Sequence, residues 1–151
     1  MKTLICLENM SYSALNTEVI EEVNNHVVNS IDEICLTSFD ETLPFADVNT
    51  AIFKINELDS FHDGVIVSNK ISHAMSILEC ANNSKKVLYL YDLDWMFEQM
   101  LYNDIYDTLN NNNLVLILRS KDHISPVKNL SNREPDAIMQ KFSLEKIWNS
   151  L

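Results

Sequence analysis

One glycine and three prolines are all that 151 residues contain of the two residues that most often break regular structure. Their scarcity argues against low-complexity linkers and against collagen-like or disordered segments. It also removes the glycine-rich phosphate loops. The G-x-G-x-x-G motif needs glycine for a tight turn and for close backbone approach to a pyrophosphate, and the Walker loop has the same requirement. The sole glycine, Gly64, stands before an apolar run, so a conventional NAD, FAD or ATP site is not expected. Basic residues are scarce as well: 11 Lys and Arg face 22 Asp and Glu, a formal net charge of −11. A phosphate backbone needs clustered cations, and an anionic membrane surface repels such a chain. Neither nucleic acid nor membrane is an expected partner. No apolar run approaches a bilayer span, and the apolar start Thr3–Leu7 is short for a signal peptide and ends on Glu8. The three cysteines (Cys6, Cys35 and Cys80) are odd in number, far apart and without C-x-x-C. They are expected to be reduced structural thiols in a cytoplasmic setting. His26, His62, His73 and His123 show no metal-ligand spacing, and no G-x-S-x-G elbow occurs.

Apolar residues make up 46% of the chain, enough for one core. Their pattern alternates short continuous runs with helical spacing. Thr3–Leu7 reads as a strand. A helix follows, carrying Leu15, Val19, Ile20, Val23 and Val27, with Glu18, Glu21 and Glu22 near its start, where acids suit a helix dipole. Strands are expected at Ile34–Leu36, Ala51–Ile55, Val65–Val67, Val87–Tyr91, Leu114–Leu118 and Ala137–Met139. Helical stretches are expected around Ile71–Leu78, at Met96–Leu109 with a break near Asn103, at Lys121–Leu130 with Pro126 either in the first turn or imposing a kink, and after a Ser143 cap. Runs apolar throughout are buried on both faces, as in parallel sheets. The reading is therefore α/β: residues 1–151 as a single Rossmann-like three-layer domain, with a mostly parallel sheet of about six strands and helices on both faces.

The stretch Lys85–Trp95 is the centre of this pattern. Five apolar or aromatic residues, Val87–Tyr91, run into Asp92-Leu93-Asp94-Trp95. Unpaired carboxylates are costly to bury, so they belong at the carboxyl end of the strand, on the rim where open α/β sheets bind ligands. Other strand ends bring Glu8, Asn9 and Ser11, then Ser68, Asn69 and Lys70, then Arg119 and Ser120 with His123 one turn on. Asp92 and Asp94 have three readings that stay open: ligands for a divalent cation on a nucleotide diphosphate, a contact orienting or deprotonating an acceptor hydroxyl, or local caps of the following turn. Arg119 is a natural salt-bridge partner for them across the rim. Trp95 and Trp148 read as packing anchors.

From Asp63 onward, the chain resembles the amino-terminal Rossmann-like domain of GT-B glycosyltransferases. The resemblance rests on the strand ending in Asp92-Leu93-Asp94-Trp95, on Arg119-Ser120-Lys121-Asp122-His123 after a later strand, and on Phe142-Ser143-Leu144-Glu145-Lys146 near the end. With Leu15-Asn16-Thr17 added, the whole chain resembles small glycosyltransferase-like proteins of large tailed phages. The resemblance implies a sugar or acceptor site with Asp92 and Asp94 in the catalytic position and Asn9, Ser11, Asn69, Trp95, Arg119, Ser120 and His123 as ligand contacts. It admits a nucleotide sugar and implies no other cofactor; a divalent metal is not expected. Two features depart from the family. Glu8–Ser13 replaces the glycine-rich loop after the first strand, and the sequence ends where the donor-binding second domain would begin. The resemblance therefore implies a domain that does not act alone. The alternatives are an interaction or virion structural module, docking through the helix that carries Leu144, Ile147, Trp148 and Leu151, and a metal-dependent transferase using Asp92 and Asp94.

Overall fold

The computed structural model describes residues 1–80, 82–97 and 102–151. Among them, seven strands form one fully parallel sheet: β1 (Lys2–Leu7), β2 (Glu33–Ser38), β3 (Ala51–Ile52), β4 (Val65–Ser68), β5 (Lys85–Leu90), β6 (Leu114–Leu118) and β7 (Ala137–Ile138). The helices are α1 (Ala14–Asn29), α2 (Ile71–Glu79), α3 (Tyr102–Leu109), α4 (Ile124–Ser131) and α5 (Leu144–Asn149), with short 3-10 turns at Ile55–Ser60, Asp94–Phe97 and Lys121–His123. The strand order is β3-β2-β1-β4-β5-β6-β7. The chain winds outward from β1 to β3, crosses back, and winds the other way from β4. Because crossovers keep one hand, reversing direction moves the connecting helices to the opposite face. α1 packs with α5 on the face formed by Ile5, Leu7, Val67, Val87 and Tyr89. α2, α3 and α4 cover the other face, formed by Leu88, Leu90, Leu116 and Leu118. The fold is a Rossmann-like three-layer arrangement.

Several local expectations change. The sheet has seven strands among the described residues rather than about six. The third strand is only two residues long. After Phe53 donates to the Leu36 carbonyl at 2.7 Å, Glu57 accepts from the Lys54 N–H at 3.2 Å and closes a 3-10 turn that ends the strand. α3 begins at Tyr102, and residues 98–101 of the expected helix, next to the break expected near Asn103, lie outside the described residues. Pro126 does fall in the first turn of α4. The glutamates of α1 lie beyond its first turn and serve another helix. Glu18 accepts from the Phe142 N–H at 3.0 Å and Glu22 from the Leu144 N–H at 2.9 Å, so α1 satisfies orphan donors at the start of α5. Ser143 caps α5, accepting from the Lys146 N–H. The apolar face of that helix is used internally: Leu144 and Ile147 are fully buried, Trp148 donates from Nε1 to Thr3 Oγ1 at 3.0 Å, and Leu151 stays exposed.

Candidate functional site at the topological switch point

Where the winding reverses, between β1 and β4, the loops that follow the two strands diverge and leave a crevice of about 360 Å³. Such a reversal is where doubly wound sheets place their ligands. Three strand ends and one helix terminus build its walls. β1 contributes Glu8 and Asn9, the start of α1 contributes Ser13 to Asn16, β4 contributes Asn69 and Lys70, and β5 contributes Tyr91, Asp92, Asp94 and Trp95.

The loop from Glu8 to Ser13 replaces glycine with side-chain hydrogen bonds. Asn9 Oδ1 accepts from the Ser11 N–H at 3.0 Å, and Ser13 Oγ caps α1 by accepting from the Asn16 N–H at 3.0 Å. Asn16, 5% exposed, donates from Nδ2 to the carbonyls of Asn9 and Ser11 at 2.9 and 2.7 Å. Met10 is buried, and its N–H donates to Thr42 Oγ1. The loop is thus held rigidly with no residue at positive φ.

On the β5 wall, Asp92 Oδ1 accepts from the Asp94 N–H at 3.1 Å. One of the two carboxylates therefore shapes the turn that presents the other. Tyr91 is buried on the α1 face, its hydroxyl donating to Glu18 at 3.1 Å. Burial, reinforced by Glu18, raises its pKa. Trp95 is 4% exposed, and its Nε1 has no partner among the described residues. Asn69 Oδ1, likewise buried, also lacks one among the described residues. Buried polar atoms are nearly always satisfied in folded proteins, so an unmet acceptor and an unmet donor at one crevice are notable. Lys70 Nζ donates to Glu8 at 2.6 Å, which leaves Asp92 and Asp94 to set a negative local field.

Of the residues expected at this rim, Asn9, Asn69, Asp92, Asp94 and Trp95 line the crevice. Ser11 lies beside it and contributes its backbone to the loop. Arg119, Ser120 and His123 do not line it. Arg119 makes no ion pair with Asp92 or Asp94 among the described residues. Its guanidinium stacks 4.0 Å from the Tyr91 ring centroid, and its Nε reaches the Gln140 carbonyl at 3.5 Å. The reason is strand alternation: Arg119 follows Val115 and Ile117 onto the Tyr91 face, away from the acids. Ser120 caps its own 3-10 turn by accepting from the Asp122 N–H. Asn16 and Tyr91 were not foreseen as lining residues. Asn16 reads as one more polar position on an amphipathic helix, and Tyr91 as the last apolar residue of a strand. Among the described residues, no group of three or more His, Cys, Asp or Glu side chains is gathered as for a metal ion. No protein-family model matches the chain, and no curated protein is significantly similar to it.

Proposed function

We propose that the chain is a glycosyltransferase-like domain whose switch-point crevice binds a sugar or other polyhydroxylated acceptor, and that it does not complete transfer alone. The observation that carries this reading is the lining itself: Asn9, Asn69, Asp92 and Asp94 around a buried unpartnered acceptor, Asn69 Oδ1. Carboxylates accept from hydroxyls, and amides both donate and accept, which suits a neutral ligand rich in O–H groups. A diphosphate fits less well, because the one lining cation, Lys70, is bonded to Glu8 amid further acids. Transfer needs both reactants held in register, and the crevice offers walls for one. A partner would then hold the donor.

Saturation-transfer NMR and calorimetry with monosaccharides and nucleotide sugars, with and without manganese, test this reading. Binding of a neutral sugar is expected, weakened at least about tenfold in an Asn69→Ala/Asp94→Asn variant that still folds. Silence across the whole panel, or unchanged binding in the variant, overturns it.

A second reading, a non-enzymatic interaction module, is favoured by one feature. A groove of about 440 Å³ between the Asp94–Phe97 turn, α3 and α4 has Trp95, Ile105, Pro126 and Leu130 among its lining residues. Met96, Phe97, Tyr102 and Tyr106 are exposed on these elements.

A further inference from the structure

At the opposite end of β5 from the crevice, the first turn of the strand buries a lysine. Lys86 is 7% exposed, and its Nζ donates to the Asn82 carbonyl at 2.7 Å and to Asn82 Oδ1 at 3.1 Å. A buried ammonium normally requires a counter-charge. Lys70, Lys128 and Lys141 all have carboxylate partners, but Lys86 has none among the described residues. The surrounding acids are engaged elsewhere. Asp63 accepts from Asn83 Nδ2 at 2.5 Å, and Asp59 and Glu79 act on the Cys80 thiol, with Asp59 bonded to it.

The second observation is Asn82 itself. Its Oδ1 accepts from Lys86 and from the Ser84 N–H at 3.2 Å, which fixes the orientation of the amide. Its Nδ2 is buried with no partner among the described residues. Both groups border a cleft of about 620 Å³, whose other walls are Lys85, the asparagines from 111 to 113 and Leu151. Arg133 holds the far wall in place, donating from Nη1 to the Asn111 carbonyl at 3.1 Å. An unpaired ammonium, an unused amide NH₂ and a second lysine at the mouth form a donor set that lacks an acceptor.

We propose that this basal cleft is an oxyanion site that takes a single phosphate group, with Lys86 and Asn82 as its floor and Lys85 at its mouth. A phosphate supplies several acceptor oxygens and the missing negative charge, and charge-assisted hydrogen bonds are the strong ones. The ligand is small, because a chain of net charge −11 repels an extended polyanion. This site does not depend on the sugar reading of the switch-point crevice.

The test is a titration of inorganic phosphate and, separately, of a sugar 1-phosphate, at ionic strength held constant with sodium chloride. It is followed by thermal melting and by amide chemical shifts. Phosphate is expected to raise Tm and to move the signals of Asn82 and of the asparagines from 111 to 113. Tighter binding of the sugar phosphate assigns the site to a phosphate ester, and equal binding assigns it to free phosphate. Asn82→Asp places a carboxylate against Lys86 and is expected to weaken binding at least about tenfold while keeping or raising the Tm of the ligand-free protein. Lys86→Met is expected to lose the response as well. No response in the wild-type chain, or an equal response in Asn82→Asp, overturns the proposal whether or not Lys86→Met folds.

Discussion

At the scale of single residues, the lone glycine shows how little room the sheet base leaves. A Cβ built on Gly64 would lie 2.7 Å from the Lys2 carbonyl oxygen and 2.8 Å from Cε1 of Phe61. The first contact is with backbone already paired in the sheet and cannot rotate away. Gly64 also accepts from the Lys85 N–H at 2.8 Å, so its own backbone is tied to the start of β5. Gly64→Ala is expected to cost about 1–3 kcal/mol, the range for overpacking a filled site, read as a lower urea midpoint with unchanged m-value. The sequence marked Asp63-Gly64 only as the lead into a strand. The steric reason for glycine lies in Lys2 and Phe61, neither of which is visible as a neighbour until the chain folds.

At the scale of elements, the contact between α1 and α5 joins the two ends of the chain. Helices as short as α5 are marginal by propensity alone. This one persists because Leu144 and Ile147 are buried and because Glu18 and Glu22 accept from backbone donors at its start. Glu18 also receives the Tyr91 hydroxyl, which links α5 to the wall of the crevice. A Glu18→Ala/Glu22→Ala double variant is expected to lose about 3–6 kcal/mol, the sum of two hydrogen bonds to charged acceptors at about 1.5–3 kcal/mol each. Amide exchange at Ile147 and fluorescence of Trp148 should report the loosening first. Residual protection of α5 equal to wild type would mean that apolar burial alone holds it. The glutamates were visible as acids near a helix start, but their partners more than a hundred positions away were not. Cap chemistry within a segment, such as Ser13 for α1 and Ser143 for α5, is local and could be read from sequence; Ser143 was anticipated.

At the scale of the whole molecule, pH acts on a core that holds neutral acids. Burial, then a hydrogen bond that the thiol donates to Asp59, moves Cys80 from its ordinary 9.0 to about 11. Burial, then Glu33, raises Cys35, and burial raises Cys6. Tyr89, whose hydroxyl donates to the Met139 carbonyl at 2.9 Å, and Tyr91 are raised by burial and by Glu18. In each case the folded state keeps a proton that the unfolded chain releases. Their contribution to stability is therefore complete below pH 9.0, the ordinary thiol value, and is lost as pH rises through the folded values. Urea unfolding under reducing conditions is expected to show a flat midpoint from pH 7 to about 8.5 and a fall above it, shallower in a Cys80→Ser variant. A midpoint that rises across this range would contradict the assignment.

The sequence by itself determined the architecture. Runs of Val, Leu, Ile and Tyr that lack polar alternation can be satisfied only where both strand faces are covered, and their interleaving with helical spacing leaves a parallel sheet as the economical arrangement. It also placed Asp92 and Asp94 at a strand end, because charge cannot continue into such a run. Tertiary structure decided what those carboxylates face. The strand order brings the loops after β1, β4 and β5 together, while pleat alternation sends Arg119 to the Tyr91 face instead of toward the acids. It also decided that Lys86, two residues into a strand that begins with paired lysines, is buried beside an unsatisfied Asn82. Burial and orphaned donors arise from several segments at once, and no local pattern of residues encodes them.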